Sequence, residues 1–199
     1  MKIKTVPALV LSLVAMPVIA ISFLAWKGSF QTKELKNFGE VAPFKLTDRS
    51  GKEITLETLR GKVWVANFIF TSCKSQCPLI MMEAQKVSKA LLFKDNFRMV
   101  SITIDPMTDN SERLNKYADE WKADPFKWLF LTGKFEDIKA LMHDGLKVPT
   151  EVEGVELMHS AKLVLVDHLS RIRGYYDAED SKDMKKLLRD SKDLLKKAF

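Results

Sequence analysis

The stretch Val63-Trp64-Val65-Ala66-Asn67-Phe68-Ile69-Phe70-Thr71-Ser72-Cys73-Lys74-Ser75-Gln76-Cys77-Pro78 decides the fold. Its first eight residues are apolar, aromatic or β-branched apart from Asn67, the composition of a strand buried on both faces. Beyond Pro78, Ile80, Ala84, Val87 and Leu91 recur at helical spacing, which predicts a helix over residues 79–93. Cys73 and Cys77, the only two cysteines in 199 residues, therefore fall where a strand turns into a helix. Pro78 suits the first helical position, because it has no N–H to leave unpaired there and its φ is already helical. Cys77 is then expected at or near the N-cap, where the helix dipole and free amides favour a thiolate and lower the thiol pKa. A thiolate is both the nucleophile of disulfide exchange and a soft metal ligand. The plainer reading is a structural disulfide or two buried free thiols. Two lone cysteines this close together, flanked by helix-start signals, are not the pattern of a disulfide framework.

Working outward, the length suits one globular domain, residues 41–199, with an extension before it. The net charge is +6, but the lysines are spread over the surface helices and no basic stripe is interleaved with aromatics. That reads as a solvated surface, not a nucleic-acid site. Residues 6–26 run without a charge, 21 residues in all, or about 31 Å as a helix. Trp26 suits a membrane interface, and no small-residue cleavage site follows the run. An uncleaved N-terminal anchor over residues 1–27 is favoured over a signal peptide, with a polar linker over residues 28–40. The short basic N-terminus places it inside, with the domain translocated. The expectation is a single-pass protein of a bacterial inner membrane whose domain faces the periplasm.

Within the domain, Pro43 to Asp48 and Glu53 to Leu56 alternate around a turn at Arg49-Ser50-Gly51-Lys52, a hairpin signal. After the cysteine helix, residues 97–104 read as a strand ended by Asp105-Pro106. A helix capped by Asn110 or Ser111 follows, running to about Trp121. Residues 128–132 read as a strand and 134–143 as a short helix. Residues 145–158 have no strong period and are acidic, an excursion or hairpin. Residues 161–166 and 171–176 form a closing hairpin, and the amphipathic end, 179–199, a last helix. Alternating strands and helices imply a parallel portion, and the two hairpins make the sheet mixed. A Cys pair at a strand-to-helix turn in that layout predicts an α/β fold, a thioredoxin-like mixed sheet with flanking helices, preceded by one transmembrane helix.

Three histidines compete to join the cysteines. His143 ends a helix, where an imidazolium favours the dipole. His168 falls in a turn and reads as solvated. His159 lies immediately before the closing hairpin, and in thioredoxin-like sheets that loop approaches the Cys pair. Val148-Pro149-Thr150 resembles the thioredoxin cis-proline signature, but acidic residues follow it instead of a strand, so it reads as a decoy. Cys73, Cys77 and His159 make a soft three-coordinate set suited to Cu(I), and with added ligands to Cu(II). Zinc would want a fourth ligand.

At these residues the chain resembles the Sco/SenC family of copper-binding, thioredoxin-like proteins linked to cytochrome c oxidase assembly. The matching features are Thr71-x-Cys73-x-x-x-Cys77-Pro78, Asp105-Pro106 after the next strand, His159 before the closing hairpin, the single anchor, and Phe44-Lys45-Leu46-Thr47-Asp48 with Gly51-Lys52. The resemblance implies that Cys73, Cys77 and His159 bind copper. It also implies that the client is the dinuclear copper site of cytochrome c oxidase subunit II, with other copper-handling proteins as partners. Two departures stand out. After Asp105-Pro106 only Asp109 fits the family's Asp-Thr-Pro spacing, and Met158 replaces the acidic residue that often precedes the His. Asp105 either lies near the site and orients a ligand or simply caps its turn. The resemblance leaves a second reading open, a thiol-disulfide oxidoreductase in which Cys73 and Cys77 are the catalytic pair and His159 tunes a thiol. A copper or redox sensor is a third reading. A thiol peroxidase would give His159 and the close Cys pair no evident role.

Overall fold

The polypeptide from residue 63 to 69 is wholly buried, and the rest of the sheet is laid down around it. The computed structural model describes residues 34–73, 77–148 and 161–197. The expected anchor, residues 28–33 of the linker, the residues between the two cysteines, Val148-Pro149-Thr150 beyond its valine, and His159 with its acidic approach lie outside the described residues. Among the described residues no helix is long and apolar enough to cross a membrane.

Among the described residues seven strands form one sheet in the order β2-β1-β5-β4-β3-β6-β7. They are β1 (Lys45–Asp48), β2 (Glu53–Thr55), β3 (Val63–Ile69), β4 (Phe97–Thr103), β5 (Trp128–Thr132), β6 (Lys162–Val166) and β7 (Ile172–Asp177). The centre, β3-β4-β5, is parallel, with Val63 opposite Phe97 and Ile69 opposite Thr103. Both flanks are antiparallel. The helices are α1 (Leu56–Leu59), α2 (Cys77–Ala90), α3 (Ser111–Glu120), α4 (Phe135–Ala140) and α5 (Ser181–Lys197). This is the expected mixed sheet with helices on both faces.

Alternation along the strands divides the core in two. On one face Val63, Val65, Ile69, Met99, Phe130, Leu163 and Leu165 pack against α2, α3 and α5. On the other, Trp64, Ala66, Phe68, Val100, Ile102, Val164 and Val166 pack against α1, α4 and the turn after α4. A side chain of this size contributes about 1.5–3 kcal/mol when fully buried, so β3, covered on both faces, anchors the domain. The α5 stripe of Met184, Leu187, Leu194 and Leu195 is buried as its periodicity predicts. Asn110 caps α3, its side chain accepting from the Arg113 amide at 2.9 Å.

Three local readings change. Leu56, read as the end of a strand, instead opens one helical turn, Leu56–Leu59, with a Thr55–Thr58 capping box. The helix expected over residues 134–143 ends at Ala140 and widens into a π-helical turn, Leu141–Gly145, which holds His143. The last residues read as linker lie along β7: the Phe38 amide donates to the Ile172 carbonyl at 2.9 Å, and Glu40 bridges Arg171.

Candidate metal centre

Strand β3 ends at Ile69, and its parallel neighbour β4 ends level with it at Thr103. The carboxyl ends of parallel strands in an open α/β sheet are where sites form. From Ile69 the chain turns through Phe70-Thr71-Ser72-Cys73, with the Cys73 amide donating to the Phe70 carbonyl at 3.1 Å. Helix α2 begins at Cys77 itself, with Pro78 following as second residue. The Cys77 amide donates to the Cys73 sulfur at 3.5 Å. Cys73 thus accepts from an N–H that has no partner within the helix. Cys73 is half-buried and Cys77 is buried.

The expected low pKa at Cys77 is not what this geometry produces. Burial pushes its thiol up, to about 12, with smaller upward contributions from the adjacent Cys73 and the charge of Asp109. The Phe70 backbone hydrogen bond acts the other way and does not offset burial. Sequence reasoning placed Cys77 at a helix N-terminus correctly but could not see that its sulfur faces the core, where desolvation outweighs the helix dipole.

The turn carrying Cys73 is gripped from the side by a residue that sequence reasoning flagged only for its spacing. Asp109 is wholly buried. Its carboxylate accepts from the Thr71 amide at 3.0 Å, the Thr71 hydroxyl at 2.5 Å and the Thr103 hydroxyl at 2.6 Å. Arg113, one turn into α3, lies 3.7 Å from the same carboxylate. Its guanidinium donates onward to the Thr71 and Ser72 hydroxyls at 2.5 and 3.2 Å. Asp105 takes the plainer of its two expected roles, closing its own turn by accepting from the Thr108 amide at 3.3 Å.

Beneath the site runs a buried polar chain. The Trp128 indole donates to Ser101 Oγ at 2.9 Å, Ser101 donates to Asn67 Oδ1 at 2.7 Å, and Asn67 donates to the Met81 sulfur at 3.7 Å. It ties β5, β4 and β3 to α2 one turn beyond Cys77. Asn67, the one polar residue in an apolar strand, was its only visible signal.

Of the three expected ligands, the structure brings Cys73 and Cys77 together; His159 lies outside the described residues. Among the described residues no three His, Cys, Asp or Glu side chains cluster as a metal site. His143 sits half-buried in the π-helical turn. His168 is not the solvated residue expected: it is half-buried, and its Nδ1 is enclosed with no hydrogen-bond partner among the described residues. Two sulfurs at one helix start, one of them shielded from water, are a soft donor pair that fits copper(I) better than a hard cation.

The SCO1/SenC family model matches residues 32–196. The chain belongs to the SCO1/SenC family. A curated relative, the SCO1 protein homolog of Bacillus subtilis strain 168, is 37% identical over 112 residues, 56% of this chain. That match spans 58% of the relative's own length. Among solved structures, BsSco, a member of the Sco family of cytochrome c oxidase assembly proteins with a disulfide switch, superposes with a TM-score of 0.72 at 28% identity, covering 83% of this chain and 98% of that one. Bradyrhizobium japonicum ScoI with copper bound superposes with a TM-score of 0.63 at 25% identity, covering 78% and 99%. These superpositions agree with the thioredoxin-like α/β sheet seen here.

Proposed function

We propose that this SCO1/SenC protein is a copper chaperone that binds copper through Cys73, Cys77 and His159 and assists assembly of the dinuclear copper site of cytochrome c oxidase subunit II. The observation that carries the reading is the pairing of the two cysteines at the carboxyl end of β3, the Cys77 amide donating to the Cys73 sulfur. Copper in ScoI of Bradyrhizobium japonicum and the oxidase-assembly family of BsSco support it. In this reading the N-terminal residues anchor the chain in a bacterial inner membrane and the domain works in the periplasm. Copper is the cargo, and its binding displaces the Cys77 proton that burial retains, so loading releases protons.

The second reading is a thiol-disulfide reductase acting on the client's cysteines, favoured by the disulfide switch of BsSco. It needs only Cys73 and Cys77.

Anaerobic titration of the reduced full-length chain with Cu(I) against a competing chelator separates the two. The chaperone reading expects tight one-to-one binding that collapses in Cys73→Ala, Cys77→Ala and His159→Ala alike. Binding unchanged in His159→Ala removes that ligand from the set. Weak binding by the thiols alone, with disulfide exchange intact, replaces the chaperone with the reductase.

A further inference from the structure

The end of the sheet opposite the cysteines carries a surface that copper binding does not use. Three large apolar side chains stand out there at the tips of turns: Phe93 is 92% exposed, Phe126 78% and Leu169 54%. They precede β4, precede β5 and follow β6, so the topology brings all three to the amino-terminal end of β3.

Hydrogen bonds and an ion pair join them into one patch. Lys127, beside Phe126, donates to the Lys94 carbonyl at 3.2 Å and pairs with Asp95 at 3.1 Å, which sets the Phe126 and Phe93 turns side by side. Arg98 donates to the Asp95 carbonyl at 2.7 Å. Lys62 is close enough to Arg98 for that charge to help push its pKa down, after burial. The Gly61 amide donates to the His168 carbonyl at 2.9 Å, joining the Leu169 turn to Lys62. From the helical side, Lys192 and Lys196 of α5 line a cavity of about 480 Å³ together with Phe93 and Lys94.

Six cations thus surround the three apolar tips. Three carboxylates lie among them, Asp95 paired with Lys127, Asp193 with Lys196, and Asp124 accepting from the Phe126 and Lys127 amides, which leaves a net excess of three positive charges. A positively charged rim around exposed apolar tips is complementary to a bilayer surface, whose phosphates pair with lysines while apolar side chains enter the headgroup boundary. Lysine stems add to that contact because their chains lie along apolar surface while the ammonium stays at the polar level.

We propose that this end of the domain is a membrane-docking face, with Phe93, Phe126 and Leu169 seated at the headgroup boundary of an anionic bilayer and the surrounding lysines paired with lipid phosphates. Strand β3 has seven residues, so this orientation holds Cys73 and Cys77 about 20 Å from the lipid surface. The end of the sheet that carries Cys73 and Cys77 then faces away from the bilayer, toward a partner that stands above the membrane.

The test is amide hydrogen exchange on the full-length chain with vesicles of phosphatidylcholine alone and of phosphatidylcholine with phosphatidylglycerol. Any N-terminal insertion is common to both, so the difference reads the domain. Residues 92–96, 124–128 and 167–171 should all exchange more slowly with the anionic vesicles, while residues 71–73 do not change. Salt at about 1 M, where the screening length is about 3 Å, should remove the difference. Lys94→Glu with Lys127→Glu should weaken docking at least about tenfold, with Cu(I) affinity unchanged. Phe93→Ser with Phe126→Ser should weaken it without changing charge. Equal exchange in both lipids, or slowing confined to another face, overturns the proposal. The same patch docking an acidic protein would give the first of those results.

Discussion

The Thr71 hydroxyl donates to the Asp109 carboxylate at 2.5 Å, across 38 positions of sequence. One residue thus bridges the turn that carries Cys73 and the loop that leads into α3. A carboxylate with no exposure is costly to bury unless its lone pairs are satisfied. Here three donors and the nearby Arg113 do so, and two of the donors belong to Thr71. Asp109 positions Cys73 without touching a ligand.

Replacing Asp109 with alanine strands the Thr71 amide and both threonine hydroxyls. Hydrogen bonds to a charged group contribute about 1.5–3 kcal/mol each, so a loss of about 2–4 kcal/mol in urea unfolding is expected. Asp109→Asn keeps the shape and part of the bonding. It should cost less stability yet still shift the reduction potential of the Cys73–Cys77 pair, because it removes a buried negative charge that favours the protonated Cys77 thiol. An unchanged potential in Asp109→Asn would mean that Asp109 acts on stability alone.

Cys77 makes the metal-free protein sensitive to alkali. Its folded pKa, about 12, lies above the ordinary thiol value of 9.0. The folded state therefore keeps a proton that the unfolded state releases in between. Stability from this group is complete below about pH 9 and is lost as pH rises toward 12. In Cys73→Ser, where Cys77 is the sole thiol, thiolate absorbance near 240 nm should not appear between pH 7 and about 10, and alkylation should be slow throughout. Rapid alkylation at neutral pH would contradict a core-facing sulfur.

Much of this was legible in the sequence, for physical reasons that differ by element. Strand β3 and helix α2 declared themselves because burial on both faces and a one-sided stripe leave different periodicities, and Asn110 announced α3 by its capping chemistry. The end of α4 was not visible, since nothing in Leu141-Met142-His143-Asp144-Gly145 distinguishes an α from a π turn. Cys77 shows the limit at the site. Its position in the chain predicts the helix dipole, but its burial depends on how the start of α2 is seated in the fold, which leaves no local pattern. Arg113 was likewise invisible as a partner of Thr71, because a contact across 42 positions leaves no local pattern.

The polar chain under α2 should behave as one unit. Asn67, Ser101 and Trp128 are all buried, and each satisfies the next. Asn67→Ala leaves the Ser101 hydroxyl without its acceptor and opens space beside Met81. A cost of about 2–3 kcal/mol is expected. If the chain is cooperative, the double change Asn67→Ala with Ser101→Ala should cost less than the sum of the singles. Additive losses in urea unfolding would show that the members act independently.

At the far edge, the Tyr176 hydroxyl donates to Asp190 of α5 at 2.8 Å, joining β7 to the last helix. Lys186 pairs with the same carboxylate at 3.0 Å and lies over the Tyr176 ring at 4.6 Å. Gly174 keeps the space under the ring open, since a Cβ there would meet the Tyr176 hydroxyl at 2.6 Å. Burial, reinforced by the hydrogen bond to Asp190 and its charge, holds the phenol well above its usual value of 10.0. Tyr176→Phe leaves a buried carboxylate with one donor fewer, at a cost of about 1–3 kcal/mol near neutral pH. Above about pH 10 the wild-type tyrosine loses stability, because only its unfolded state ionises. Phenylalanine has nothing to ionise, so the gap between variant and wild type should narrow as the pH rises. Urea midpoints measured at neutral pH and again above pH 10 decide it: a gap that stays constant would mean that the phenol is not held protonated by its burial against Asp190.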